Sequence, residues 1–259
     1  MNNPIITRQQ LEIVNRRTLR YPLQTAEKDY FLALVAQIIS QSPLGEKLVF
    51  KGGTALHHCY LEQSRFSEDL DFSSNQVYLS LEEIRGMFTP FNFLAIKKEY
   101  QSEATIKIER LQYTGPLTLP NSLKVEIDRI QNVLLPPELM KYNNVWGLDF
   151  KVRVMDVREI CAEKIRAMSD RARYRDYYDF FLLLETQHIN LDEVIAYVGR
   201  KEIRKPITKV NIYSNWRAVG TQKAAEMGQI HYSQPVEDAQ IENSIEKLPF
   251  VEIPPRSIG

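Results

Sequence analysis

The sequence predicts an α+β fold, a mixed α/β first half followed by a mainly helical second half. Two observations carry this. From about Ala95 to Asp128 apolar and polar residues alternate, the period of half-buried strands. On either side of that region apolar residues recur three and four apart, the period of amphipathic helices. With 259 residues, the chain reads as two domains, 1–150 and 151–259, the second ending in an irregular tail.

Residues 8–20 read as a polar helix. Thr25 caps a second helix from about Glu27 to Ser40, in which Phe31, Leu34, Val35, Ile38 and Ile39 share one buried face. Leu48-Val49-Phe50 is a short buried strand ended by Gly52-Gly53, and Thr54 to Glu62 is helical. Leu70 and Phe72 mark another short strand. Residues 80–90 form a helix stopped near Pro90. Ala104 to Glu109, Leu111 to Thr114 and Leu123 to Ile130 read as strands. In the last, Leu123, Val125 and Ile127 point one way, and Lys124, Glu126 and Asp128 the other. Residues 131–150, with Pro136-Pro137 and Asn143-Asn144, read as loop. Asp156 starts a helix, with Glu159 placed as in a capping box. Helices follow over about Tyr174–Thr186 and Leu191–Tyr197. Beyond Pro206 the chain is polar and carries Pro235, Pro249, Pro254 and Pro255, so partly irregular structure is expected.

Composition narrows the function. A hydrophobic share of 44% and a charged share of 25% belong to a folded soluble protein. Lys+Arg and Asp+Glu number 33 each, which excludes a protein whose main task is unspecific grip on nucleic acid. The balance is uneven along the chain. Residues 151–175 carry eight basic against four acidic side chains, residues 200–223 seven against one, and the stretch from Glu226 to Glu252 is acidic. If the basic segments flank a reactive site, they supply a local field for phosphates. No apolar run approaches the ~20 residues that cross a bilayer, and the N-terminus shows no signal peptide. Cys59 and Cys161 make no disulfide framework and read as core residues. The expected place is the cytoplasm, without membrane attachment.

One segment carries chemistry: Phe50-Lys51-Gly52-Gly53-Thr54-Ala55-Leu56, then Arg65-Phe66-Ser67-Glu68-Asp69-Leu70-Asp71-Phe72. Two glycines between strand and helix let the backbone approach a ligand closely, and Thr54 adds a hydroxyl; the bland alternative is a tight turn with Thr54 as N-cap. Asp69 and Asp71, two apart on a strand, point the same way. Like charges so placed suit a shared Mg²⁺ (or Mn²⁺) completed by substrate phosphates; the alternative is two solvated residues on an edge strand. Glu126 and Asp128 are the candidates for a third carboxylate, and either is equally a polar-face residue. On the later helices, Lys164 matters only if it faces the carboxylates. Asp176 and Asp179 share a helix face, and Tyr177, Phe180, Phe181 and Leu184 form a core stripe beside them.

Together with Lys28-Asp29-Tyr30, Ala162-Glu163-Lys164 and Arg175-Asp176, these motifs resemble the AbiEii/AbiGii nucleotidyltransferase-like toxin family of the polymerase-β-like nucleotidyltransferases. The resemblance spans roughly residues 25–190. It implies a nucleotidyltransferase-type mixed sheet with flanking helices, and transfer of a nucleotide from a nucleoside triphosphate to an RNA acceptor such as a tRNA 3′ end. It also implies a cognate antitoxin protein as partner. It places Asp69, Asp71 and Glu126 on two Mg²⁺ ions, with Asp128 the alternative third carboxylate. Lys51, Gly52, Gly53, Thr54, Ser67 and Lys164 are implied to bind nucleotide. Lys164 and Asp176 match the family's helical lysine and aspartate, with Asp176 orienting either Lys164 or the acceptor. Two rivals stand beside this reading. Asp69-Leu70-Asp71-Phe72-Ser73 also fits the haloacid-dehalogenase phosphatase pattern, but the preceding Arg65-Phe66-Ser67-Glu68 is too polar for the buried strand that fold requires. The other rival is a catalytically silent nucleotide-binding or partner-binding module.

Overall fold

The computed structural model describes residues 5–75, 77–220 and 223–257. Its contacts separate into two compact units, one of residues 1–59, 66–130 and 137–154, the other of residues 60–65, 131–136 and 155–259.

The first unit opens with α1 (Arg8–Arg17), capped by Thr7 and Gln10 in a reciprocal capping box. α2 follows over Leu23–Gln41. Its N-cap is Pro22, so Thr25 lies inside the helix rather than capping it. The helix is buried on more than the one face expected, since Leu32, Ala33 and Ala36 are enclosed as well. An all-round apolar helix belongs in a core, and α2 lies against the sheet.

That sheet has seven strands: β1 (Val49–Lys51), β2 (Asp69–Ser73), β3 (Leu94–Gln101), β4 (Thr105–Tyr113), β5 (Asn121–Asp128), β6 (Glu138–Lys141) and β7 (Lys151–Val154). Their spatial order is β3-β4-β5-β2-β1-β7-β6. β2 runs parallel to β5 and antiparallel to β1, and β1 runs parallel to β7, so the sheet is mixed. Between β1 and β2 the chain forms a single helical turn, α3 (Gly52–Ala55), widening into a π-helical turn over Leu56–Tyr60. α4 (Leu81–Phe88) is capped by Ser80 and Glu83.

Strand β6 falls within residues 131–150, the region read as loop, and β7 follows directly after it. β6 is an edge strand with mostly exposed side chains, so it carries no alternating apolar signal. The interior of this unit is strongly aromatic: Phe31 stacks on Tyr113, and Tyr142 stacks on His58 and Phe150.

The second unit is mainly helical. α5 (Val157–Asp170) is capped by Asp156, whose side chain accepts from the Arg158 N–H. Glu159 does not complete a capping box. Its buried carboxylate accepts the N–H groups of Leu134 and Leu135 and pairs with the fully buried Lys201. α6 (Tyr174–Thr186) and α7 (Leu191–Val198) follow. The tail expected to be irregular instead forms α8 (Lys209–Val219), α9 (Lys223–Ile230) and α10 (Asp238–Glu246), with the short pair β8 (Ile207–Thr208) and β9 (Glu252–Ile253). The prolines of this region lie outside the helices and strands. Ile212, Trp216 and Val219 supply the buried face of α8 at i, i+4, i+7, a pattern too sparse to stand out in a polar stretch.

Among the described residues, no helix is long and apolar enough to cross a membrane. Cys59 and Cys161 are buried, and burial pushes each thiol up to about 12, as suits inert core residues.

Candidate active site

The alternating pattern of β2 and β5 sets the site. Leu70 and Phe72, with Val125 and Ile127, fill the apolar side of the sheet, which forces Asp69, Asp71, Lys124, Glu126 and Asp128 onto the other side. The register then aligns them. Asp71 lies opposite Glu126, Asp69 opposite Lys124, and Ser73 opposite Asp128. On one flank Lys51 of β1 lies opposite Asp71; on the other, Lys107 of β4 lies opposite Glu126. One line across four strands thus reads Lys51, Asp71, Glu126, Lys107.

Glu126, Lys107 and Lys51 on this line make ion pairs. Glu126 meets Lys107 Nζ at 2.9 Å and Lys124 Nζ at 2.7 Å, and Asp128 meets Lys51 Nζ at 3.3 Å. Burial pushes the Glu126 carboxyl up, but hydrogen bonds from Lys124 and Lys107 outweigh it and hold Glu126 below the usual carboxylate range. Asp71 moves the other way. Burial first, then the negative charge of Asp69, pushes it up to about 6 despite the opposing charge of Lys51.

Gly52 is required by geometry. Its φ is +76°, and a Cβ there would stand 2.6 Å from Asp71 Oδ2. The turn therefore passes its backbone directly beside the carboxylate. Thr54 is enclosed, and is neither the N-cap, which is Lys51, nor an exposed hydroxyl. It donates to the Asp69 carbonyl and lies 2.9 Å from the Ser67 hydroxyl, so Thr54 and Ser67 tie the turn to the start of β2. Of the helical motif Lys28-Asp29-Tyr30, Lys28 pairs with Glu68 at 3.2 Å, and Asp29 accepts from Trp146 Nε1 at 2.7 Å.

Lys164 and Asp176 meet in the second unit. Lys164 Nζ lies 3.1 Å from Asp176 Oδ1 and 2.6 Å from Asp179 Oδ2, all three side chains being buried. Arg65 holds Asp179 through Nε at 2.7 Å and Nη2 at 2.6 Å, and Arg171 Nε reaches Asp176 at 2.8 Å. Burial raises the Asp176 carboxyl, but Lys164 and Arg171 outweigh it and hold it low. Asp176 is thus a direct partner of Lys164, and the sequence reading missed that Asp179 and Arg65 complete the network. It also passed over Lys107. Lys124 was visible as a polar-face neighbour of Glu126, whereas Lys107 enters only through cross-strand register.

Among the described residues, no three His, Cys, Asp or Glu side chains converge closely enough to hold a metal ion. Asp69 and Asp71 nevertheless suit a hard divalent cation: they offer oxygen donors on one strand face, and their mutual repulsion is what such an ion relieves. Substrate phosphates would have to supply the other ligands.

Two solved structures share the fold of this mixed sheet with its flanking helices. MenT4, a nucleotidyltransferase toxin from Mycobacterium tuberculosis H37Rv, matches over 92% of this chain and 98% of its own, with 19% identity and a TM-score of 0.63. A putative nucleotidyltransferase from H. pylori matches over 88% of this chain and 96% of its own, with 16% identity and a TM-score of 0.56. No curated protein matches by sequence. The family model for the nucleotidyl transferase AbiEii toxin of type IV toxin–antitoxin systems matches residues 33–246, and the chain belongs to that family.

Proposed function

We propose that this chain transfers a nucleotide from a nucleoside triphosphate to an RNA acceptor such as a tRNA 3′ end, with Mg²⁺ or Mn²⁺, in the cytoplasm. It acts as the toxin of a pair, opposed by a cognate antitoxin protein. The observation that carries the reading is the register that sets Asp69, Asp71 and Glu126 on one face beside Gly52.

Asp69 and Asp71 would hold the divalent ion, which supplies charge neutralisation and polarisation of the phosphoryl oxygens. Lys51, opposite Asp71, places an ammonium group beside the triphosphate. Gly52 and Gly53 let that triphosphate approach the backbone, and Thr54 and Ser67 keep the turn and strand in fixed relation. Glu126 stands opposite Asp71 in register and keeps two lysines beside the pair; for it, or for Asp128, to act as a third carboxylate those lysines would have to yield.

The test is incubation of the protein with total RNA, each α-³²P nucleoside triphosphate and Mg²⁺, followed by identification of the labelled species. Asp69→Asn and Asp71→Asn should each lower transfer by at least ~10³-fold, since each removes charge that acts on the transition state. Their circular dichroism should be unchanged. Undiminished transfer in both variants overturns the assignment. The family roles of Lys164 and Asp176 are tested by Lys164→Met and Asp176→Asn in the same assay.

One observation favours the silent-module reading: Glu126 and Asp128 are both engaged by lysines. Calorimetric binding of a nucleoside triphosphate with no transfer to any RNA would decide for it.

A further inference from the structure

The line of residues through the carboxylates does not stop at Lys107. Across the next strand pair, Tyr100 of β3 lies opposite Lys107 of β4. Partners directly opposite in an antiparallel pair project to the same face. The face that carries Asp71 and Glu126 therefore continues through Lys107 to Tyr100, and Tyr100 is 50% exposed. Strands lie about 4.8 Å apart, so three strand steps place Tyr100 about 14 Å from Asp71 along the sheet. Lys124 flanks the same path, opposite Asp69.

We propose that this face binds the acceptor as an unpaired RNA strand: Tyr100 stacks a base, Lys107 and Lys124 take the phosphodiester, and the 3′ end reaches the Asp69–Asp71 pair. The inference rests on the reading above and names the surface through which its acceptor is held.

Three physical points support it. Each ammonium has three donors, so the bond that Lys107 or Lys124 makes to Glu126 leaves two for a phosphate. Glu126 takes one lysine on each carboxylate oxygen, which fixes both ammonium groups beside the aspartates. Finally, the two flanks of the aspartate pair differ. The β1 flank offers Lys51 and the Gly52 turn, suited to a triphosphate, while the β5–β4–β3 flank offers spaced cations ending in an exposed aromatic ring. Aromatic rings and cations along one groove are how proteins bind unpaired strands without reading sequence.

The experiment uses the full chain and a 5′-fluorescein-labelled 12-residue RNA with a free 3′ end, single-stranded or annealed into a blunt duplex. Binding is followed by anisotropy with EDTA present and again with Mn²⁺. The wild type should prefer the single strand. Tyr100→Ala should weaken single-strand binding roughly tenfold or more, and Tyr100→Phe should restore it. Lys107→Gln and Lys124→Gln should each lower the slope of log affinity against log salt by ~0.7. Calorimetric affinity for a nucleoside triphosphate should not change in Tyr100→Ala. Single-strand binding by Tyr100→Ala and Lys107→Gln equal to wild type overturns the proposal while leaving transfer intact. Lysine variants that lose triphosphate affinity but keep RNA affinity also overturn it, assigning the lysines to the nucleotide. A wild-type protein that transfers to no RNA overturns the acceptor reading, and this surface with it.

Discussion

At the scale of single residues, Asp71 shows how a site can work against its own fold. Its folded carboxyl titrates at about 6, above the ~3.9 of an unfolded chain. The folded state therefore holds the proton more tightly. The stability this provides is complete below pH ~4 and is lost as pH rises through 6. In EDTA, Asp71→Asn should be more stable than wild type at pH 7.5 by on the order of 2–3 kcal/mol, with the difference vanishing near pH 4. Thermal melts at the two pH values check this; a pH-independent difference would contradict it. Gly52 is the neighbouring case. Gly52→Ala meets a positive φ and a Cβ clash with Asp71 at once, so a loss of about 1–3 kcal/mol and of transfer together is expected. Asp69 and Asp71 were legible as a pair because strand period alone puts them on one face. The enclosure of Thr54 was not, since it depends on which strand crosses beneath the turn.

At the scale of elements, registers and ion-pair networks decide. In the second unit α5 and α6 are joined by Lys164 with Asp176 and Asp179, and Arg65 from residues 60–65 closes the network on Asp179. Removing one partner strands the others without water. Asp179→Ala should therefore cost about 3–5 kcal/mol in urea denaturation, far more than an exposed ion pair. A loss below about 1 kcal/mol would show that the buried cations find other partners. The helical spacing of Asp176 and Asp179 could be read from the sequence. The pairing of Asp179 with Arg65, more than a hundred residues earlier, could not. The same holds for Glu159, which looks like a capping residue locally but serves Lys201 and the backbone of residues 134–135.

At the scale of the whole molecule, the equal count of acids and bases has a structural counterpart. Part of the charge in the two basic segments is used within the fold: Arg158, Lys164, Arg171, Lys201, Arg204 and Lys223 all make ion pairs. The acidic tail is used in the same way, Glu226 accepting the N–H groups of Tyr174 and Arg175, and Glu242 that of the Trp216 indole. These charges serve folding before any external field. The site's net demand for positive charge is expected to fall on the divalent ion. EDTA should abolish transfer, and Mg²⁺ or Mn²⁺ should restore it. Mn²⁺ at a hundred times its dissociation constant should stabilise the wild type by about 2.7 kcal/mol and Asp71→Asn much less, read as a shift in the melting midpoint. Equal shifts in both proteins would place the ion elsewhere.

The sequence alone determined the α+β class, the helices from Asp156 to Val198, the glycine turn and the aspartate pair, because each rests on contacts within a few residues along the chain. It also carries, in order, the motifs that resemble the AbiEii family. The tertiary structure decided what distant residues do to those local features. It paired Glu126 with two lysines, set Tyr100 on the carboxylate face, enclosed Thr54 and folded the tail into helices. The physical reason is the same in each case. Cross-strand register and burial are set by which segments pack together, and a two-residue or 3.6-residue period says which way a side chain points but not what it meets.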